Sequence, residues 1–167
     1  YLPVYARNAC GTKMLGTMSL LLRGLPFIFQ GQEIGMSNTN WQSVDEFDDL
    51  NTVDQYHLAL KAGLSEKDAL VKIGRLSRDN ARTPMQWNTS SNAGFTTEIP
   101  WLRLNDNYPD VNVAVQKKDA NSVLNYYKKL IALRKSDAYK DIFTYGKTVP
   151  VFLEKKMLMA YCREKDD

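Results

Sequence analysis

The densest run of groups able to do directed chemistry is Arg78-Asp79-Asn80-Ala81-Arg82, followed at once by Thr83-Pro84-Met85-Gln86-Trp87. A guanidinium donates two hydrogen bonds in a fixed fork, and an indole face packs on ring C–H groups, so this combination can hold a sugar. The same residues suit a structural pair of Arg78 with Asp79 and a core position for Trp87, and their types alone leave both readings open. A second candidate is Glu33, in Gly31-Gln32-Glu33-Ile34-Gly35 after a predicted strand. A carboxylate there can serve as a general acid, as a ligand to a hydroxyl, or as a buried partner that orients an arginine; we expect the structural role.

Other reactive groups point to less. His57 is the single histidine and falls in a predicted helix, so it cannot complete a metal site or a nucleophile triad, and a surface position is expected. Asp45-Glu46-Phe47-Asp48-Asp49 lacks the ligand spacing and turn glycine of a calcium loop and reads as a solvated face. No glycine-rich loop follows a strand, and neither a metal nor another cofactor is expected. The net charge of +3 is spread over interleaved Lys/Arg and Asp/Glu, which argues against nucleic-acid and membrane partners. Cys10 and Cys162 stand far apart without metal-ligand neighbours, as reduced thiols of a cytoplasmic protein would. No apolar run reaches the roughly 18 to 20 residues of a spanning helix, and residues 1–9 lack the plan of a secretory leader.

These groups need elements to hold them. A hydrophobic share of 44% with 25% charged residues allows a packed core. Met14, Leu15, Met18, Leu21 and Leu22 recur at helical spacing and predict a helix over 9–22, with Gly24 following it as a cap. Leu25-Pro26-Phe27-Ile28-Phe29-Gln30 reads as a buried parallel strand. A helix is predicted over 52–60, ending at Gly63, and another from the capping box Ser65-Glu66-Lys67-Asp68 to about Leu76. Residues 78–115 carry Pro84, Gly94, Pro100 and Pro109 without a sustained period, a long irregular excursion in which Trp87 and Trp101 argue for order. The clearest helix is 122–135, with an apolar stripe of Val123, Tyr126, Tyr127, Leu130 and Leu133 and a cap from Asp119 or Asn121. From about Asp137 an all-β segment is expected, with strand-like runs at 149–153 and 158–162 left unpaired.

Taken in order, residues 24–36, 77–87, 93–97 and 122–135 resemble one family, the oligo-1,6-glucosidase group of glycoside hydrolase family 13. The resemblance implies an α/β fold class: residues 1–136 as the last strand, excursion and last helix of a (β/α)8 barrel, and 137–167 as the start of a C-terminal β domain. It also implies a retaining α-glucosidase acting on α-glucosidic bonds, α-1,6 by preference, at the non-reducing end of short oligosaccharides. Trehalose-6-phosphate hydrolysis and a non-catalytic sugar-binding remnant are the alternatives. The family's aspartate nucleophile and glutamic acid/base, about 5 Å apart, would lie with the rest of the barrel upstream of Tyr1, so the chain by itself is expected to be inactive and to leave Phe27–Phe29 uncovered. Arg78 matches the family arginine on the terminal glucose; Asp79 and Arg82 match its supporting neighbours. Two positions depart from the family pattern, Gln32 in place of a glutamate and Asn51 in place of the glutamate that many members place beside the second sugar.

Overall fold

The computed structural model describes residues 9–165, so the stretch 1–8 used in the leader reading lies outside the described residues. Six helices and one hairpin follow in the order α1 (Ala9–Leu21), α2 (Leu50–Lys61), α3 (Glu66–Gly74), α4 (Val113–Lys118), α5 (Val123–Lys135), α6 (Lys140–Tyr145), β1 (Lys147–Val151) and β2 (Ala160–Glu164), with four short 3-10 turns among them. No described helix is long and apolar enough to cross a membrane.

Two apolar clusters meet on α5. Leu20 of α1 packs with Val123, Tyr127 and Leu130, while Ile34, Met85 and Val113 gather around Leu124 on the neighbouring face. The α1 face that does this differs from the predicted one, since Gly11, Thr12, Gly16 and Leu20 are buried and Met14 is exposed. Close approach decides it: a Cβ on Gly16 would stand 2.7 Å from the Tyr127 ring, so only a bare backbone admits the tyrosine. Ser122, rather than Asp119 or Asn121, caps α5 by accepting from Asn125 N at 3.1 Å. As predicted, Ser65 caps α3, accepting from Asp68 N at 3.1 Å.

A third centre supports the candidate site. Trp41 and Phe47 pack with their ring centroids 4.5 Å apart, tilted by 42°, and Trp41 Nε1 donates from this pair to Asn80. The end of α3 reaches this pair because Gly74 has no side chain; a Cβ there would meet Trp41 Cδ1 at 3.1 Å.

Three expectations are corrected. Residues 25–29 form no strand, and Leu25, Phe27 and Phe29 are 79%, 82% and 58% exposed. A strand exists only through a ladder with neighbours, and no described strand lies beside this segment. The region after Asp137 opens with helix α6 rather than strand; a turn closed by Lys140 N donating to Ser136 O at 2.8 Å leads into it, and its first bond runs from Phe143 N to Tyr139 O at 3.0 Å. The two strands beyond it are not unpaired: β1 and β2 run antiparallel with Val149 opposite Cys162. Arg163 fastens this hairpin to the helices, donating to the carbonyls of Leu21 at 2.7 Å and Gly146 at 2.6 Å. Burial lowers its pKa, and the carbonyl ends of α1 and α6 compensate the charge.

Candidate functional site

Residues 78–81 form a single 3-10 turn started by Ser77, whose Oγ accepts from Asp79 N at 3.1 Å. Asn80 ties that turn to the core with its whole amide. Its Nδ2 donates to the carbonyls of Gly74 and Ser77 at 2.7 and 3.0 Å, and its Oδ1 accepts from Trp41 Nε1 at 2.9 Å and from Thr39 N at 3.2 Å. An amide satisfied at both ends fixes the turn's orientation, and with it the directions in which Arg78, Asp79 and Arg82 leave the backbone.

Four charged side chains converge there. Asp79 is wholly buried, and its Oδ2 accepts from the backbone N–H groups of Asp48 and Asp49 at 2.9 and 3.0 Å. Its Oδ1 lies 2.8 Å from Arg82 Nη2, an ion-pair contact off the direction of a hydrogen bond. Asp49 is 4% exposed and takes Arg78 side-on, with Nη2 at 2.5 Å and Nε at 3.4 Å. Thr52 Oγ1 donates to Asp49 Oδ2 at 2.7 Å and sits 2.9 Å from Ser77 Oγ. The Arg78 side chain remains 73% exposed, while Arg82 packs its guanidinium 5.8 Å from the centre of the Trp101 ring. The arrangement is therefore a buried pair of carboxylates presenting one arginine to solvent and bracing the other against an indole.

The Arg78 hydrogen bond is the largest influence on Asp49 and holds its carboxyl below the usual range. Burial opposes this, while Thr52 and the two nearby guanidinium charges support it. Reciprocally, the Asp49 hydrogen bond raises Arg78. A carboxyl whose pKa is lowered on folding contributes stability that is fully present above its unfolded value near 4 and is lost as pH falls through the lower folded value. The stability difference between the complete protein and its Asp49→Asn variant is accordingly expected to stay constant above about pH 5 and to shrink as pH falls below about 4. Urea unfolding across that range checks it, and a difference that grows in acid would contradict the pairing.

The expected site residues fall out as follows. Arg78, Asp79 and Arg82 share one cluster, but the simple pair of Arg78 with Asp79 does not form, because Asp79 faces Arg82 and Arg78 turns to Asp49. Trp87 is not a core residue, being 48% exposed. Glu33 sits apart in a 3-10 turn between Gly31 and Gly35, both left-handed, and no described arginine reaches it. Its Oε2 is buried without a hydrogen-bond partner. Its charge acts instead on Tyr127, whose phenol is pushed up chiefly by burial and further by Glu33, against a hydrogen bond from Gln32. His57 is exposed, as expected. The acidic stretch is not a uniformly solvated face: Asp49 is buried, and Glu46 pairs with Arg103 at 3.0 Å.

Sequence reasoning missed Asp49, Thr52, Ser77 and Trp101. Asp49 did carry a signal, an aspartate directly before a helical period, which is an N-cap position rather than a surface one. Ser77 before the turn carried the same kind of signal. Trp101 carried none, since only the path of the excursion brings it to Arg82.

Comparison with known proteins matches residues 5–146 to the family described as alpha amylase, catalytic domain. The chain is 45% identical over 143 residues to an oligo-1,6-glucosidase of Parageobacillus thermoglucosidasius, covering 85% of this chain and 25% of that protein. To a probable oligo-1,6-glucosidase of Bacillus subtilis strain 168 it is 42% identical over 153 residues, covering 91% of this chain and 27% of the relative. Among solved structures, a Bacillus licheniformis trehalose-6-phosphate hydrolase superposes with a TM-score of 0.87 at 36% identity, over 99% of this chain and 29% of that one. The chain thus spans about a quarter of the length of the relatives it matches.

Proposed function

The chain belongs to the alpha-amylase catalytic-domain family, and from that premise we propose that it is the C-terminal part of a retaining α-glucosidase in which Arg78 holds the terminal glucose of a short oligosaccharide. The observation that carries this is the Arg78 guanidinium itself, exposed to solvent and yet seated on a buried carboxylate. A cation held in that way offers fixed donors to neutral hydroxyls, while its charge is already matched and does not demand an anionic ligand. Asp79 and Arg82 brace the turn, and Trp101 shields Arg82.

Neither carboxylate of the cluster suits the chemical step. Asp49 is buried and kept ionised by Arg78, so it has no proton to give, and Asp79 is closed off from solvent. The proposal therefore places the nucleophile and the acid/base in the remainder of a (β/α)8 barrel, in which residues 25–30, without a ladder in this chain alone, would gain the neighbours that a strand requires. The family match ends at residue 146, immediately before β1, and we take the hairpin as the opening of a following β domain.

The test has two arms. The complete protein containing this chain is expected to release glucose from short α-glucosides with retained anomeric configuration, and the 167-residue chain alone to give no turnover of a chromogenic α-glucoside. Activity of the pure chain above contaminant level would overturn the placement of the carboxylates. An inactive complete protein that still binds glucose would favour the sugar-binding remnant.

A further inference from the structure

Arg78 poses a mechanical problem that its surroundings solve in one place. Its side chain is 73% exposed, and an arginine so placed ordinarily samples many rotamers. Both hydrogen bonds made by the guanidinium, from Nε and Nη2, end on the single carboxylate of Asp49. No other hydrogen bond to that side chain is formed among the described residues.

Asp49 cannot follow the arginine if it moves. Its N–H is held by Asp79 Oδ2 at 3.0 Å, its carbonyl accepts from Thr52 N at 2.8 Å to begin α2, and its Oδ2 accepts from Thr52 Oγ1 at 2.7 Å. Backbone and side chain are thus fixed independently, one by a buried aspartate and the other by the first turn of a helix. Side-on pairing consumes Nε–H and one Nη2 hydrogen, leaving both hydrogens of Nη1 and one of Nη2 free in a defined plane. We infer that Asp49 is a positioning residue for the glucose contact: it aims the Arg78 donors at the sugar hydroxyls without touching the sugar. This rests on Arg78 being a substrate contact, as proposed above, and goes beyond it by naming what makes the contact directional.

The prediction is thermodynamic coupling between two residues only one of which meets the ligand. In the complete protein, Asp49→Asn keeps the shape of the side chain and an oxygen for Thr52, but loses the charge that holds the fork. It is expected to lower kcat/KM for a chromogenic α-glucoside about tenfold, with most of the change in KM. In an Arg78→Ala background the same substitution is expected to cost nothing more, because its effect passes through Arg78. A purely structural Asp49 would lower activity by the same factor with or without Arg78, and that additive result would overturn the inference, as would unchanged kcat/KM in the single variant. If Arg78→Ala alone is fully active, the sugar-contact reading fails and the inference falls with it; if Arg78→Ala is impaired while Asp49→Asn is normal, only the inference fails. Should Asp49→Asn not fold, Asp49→Ser, which also removes the charge and keeps a hydroxyl at the start of α2, takes its place in the same cycle with the same readings.

Discussion

Replacing Arg78 by alanine in the complete protein is expected to reduce kcat/KM toward a short α-glucoside about a hundredfold. The magnitude follows from the type of contact. Charged donors to a ligand hydroxyl are among the stronger hydrogen bonds, and a sugar that loses them also loses the alignment that brings its anomeric carbon to the attacking group. The arginine is mostly exposed, so its loss opens no cavity, but it leaves the buried Asp49 carboxylate without its main partner, and a lower urea midpoint is expected beside the loss of activity. A fall in kcat/KM with the fold intact by circular dichroism is the expected pattern. An active Arg78→Ala enzyme would instead leave the guanidinium as a surface partner of Asp49 and nothing more.

What could be read from the chain without its structure was set by how local the cause was. Helices α2, α3 and α5 were legible because each carries its apolar spacing locally, helped by Gly63 after α2 and the Ser65 cap of α3, whereas the cap positions Asp49 and Ser122 were not read. The membership of Arg78, Asp79 and Arg82 in one site was legible because they share one turn. Their partners were not. Asp49 lies 29 residues before Arg78, and the bond between them depends on the N-terminus of α2 being brought under the 3-10 turn. The strand predicted at residues 25–30 failed for the opposite reason: its apolar run is a local feature, but a strand is completed by neighbours that no local pattern supplies. Helix α6 was missed because Phe143, Thr144 and Tyr145 are residue types that favour strands, and the turn at Ser136 that feeds the chain into a helix at Tyr139 outweighs that preference.

The second large effect belongs to Asp79, and it is one of stability. Asp79→Ala is expected to destabilise the complete protein by about 3 kcal/mol, although this residue sits in the same turn as the exposed arginine. Its carboxylate is wholly buried, and a single oxygen, Oδ2, accepts two backbone N–H groups where the acidic segment enters α2. Alanine leaves both donors without the acceptor and frees Arg82 from its 2.8 Å partner. Two charge-assisted hydrogen bonds contribute about 1.5 to 3 kcal/mol each, and relief of the cost of burying a carboxylate offsets part of that loss. Asp79→Asn separates the contributions. Its amide oxygen can occupy the Oδ2 position and keep both N–H groups, while its NH₂ confronts Arg82 donor to donor, so it is expected to destabilise less than alanine but not to restore the wild-type value. Activity should follow stability in both variants, because Asp79 reaches the sugar only through the backbone of Asp49 and hence through the seat of Arg78. Urea midpoints and kcat/KM for the two variants decide the matter. An alanine variant as stable as the parent would mean that the segment entering α2 is held by the Trp41 and Phe47 pair alone, and the buried carboxylate would need another purpose.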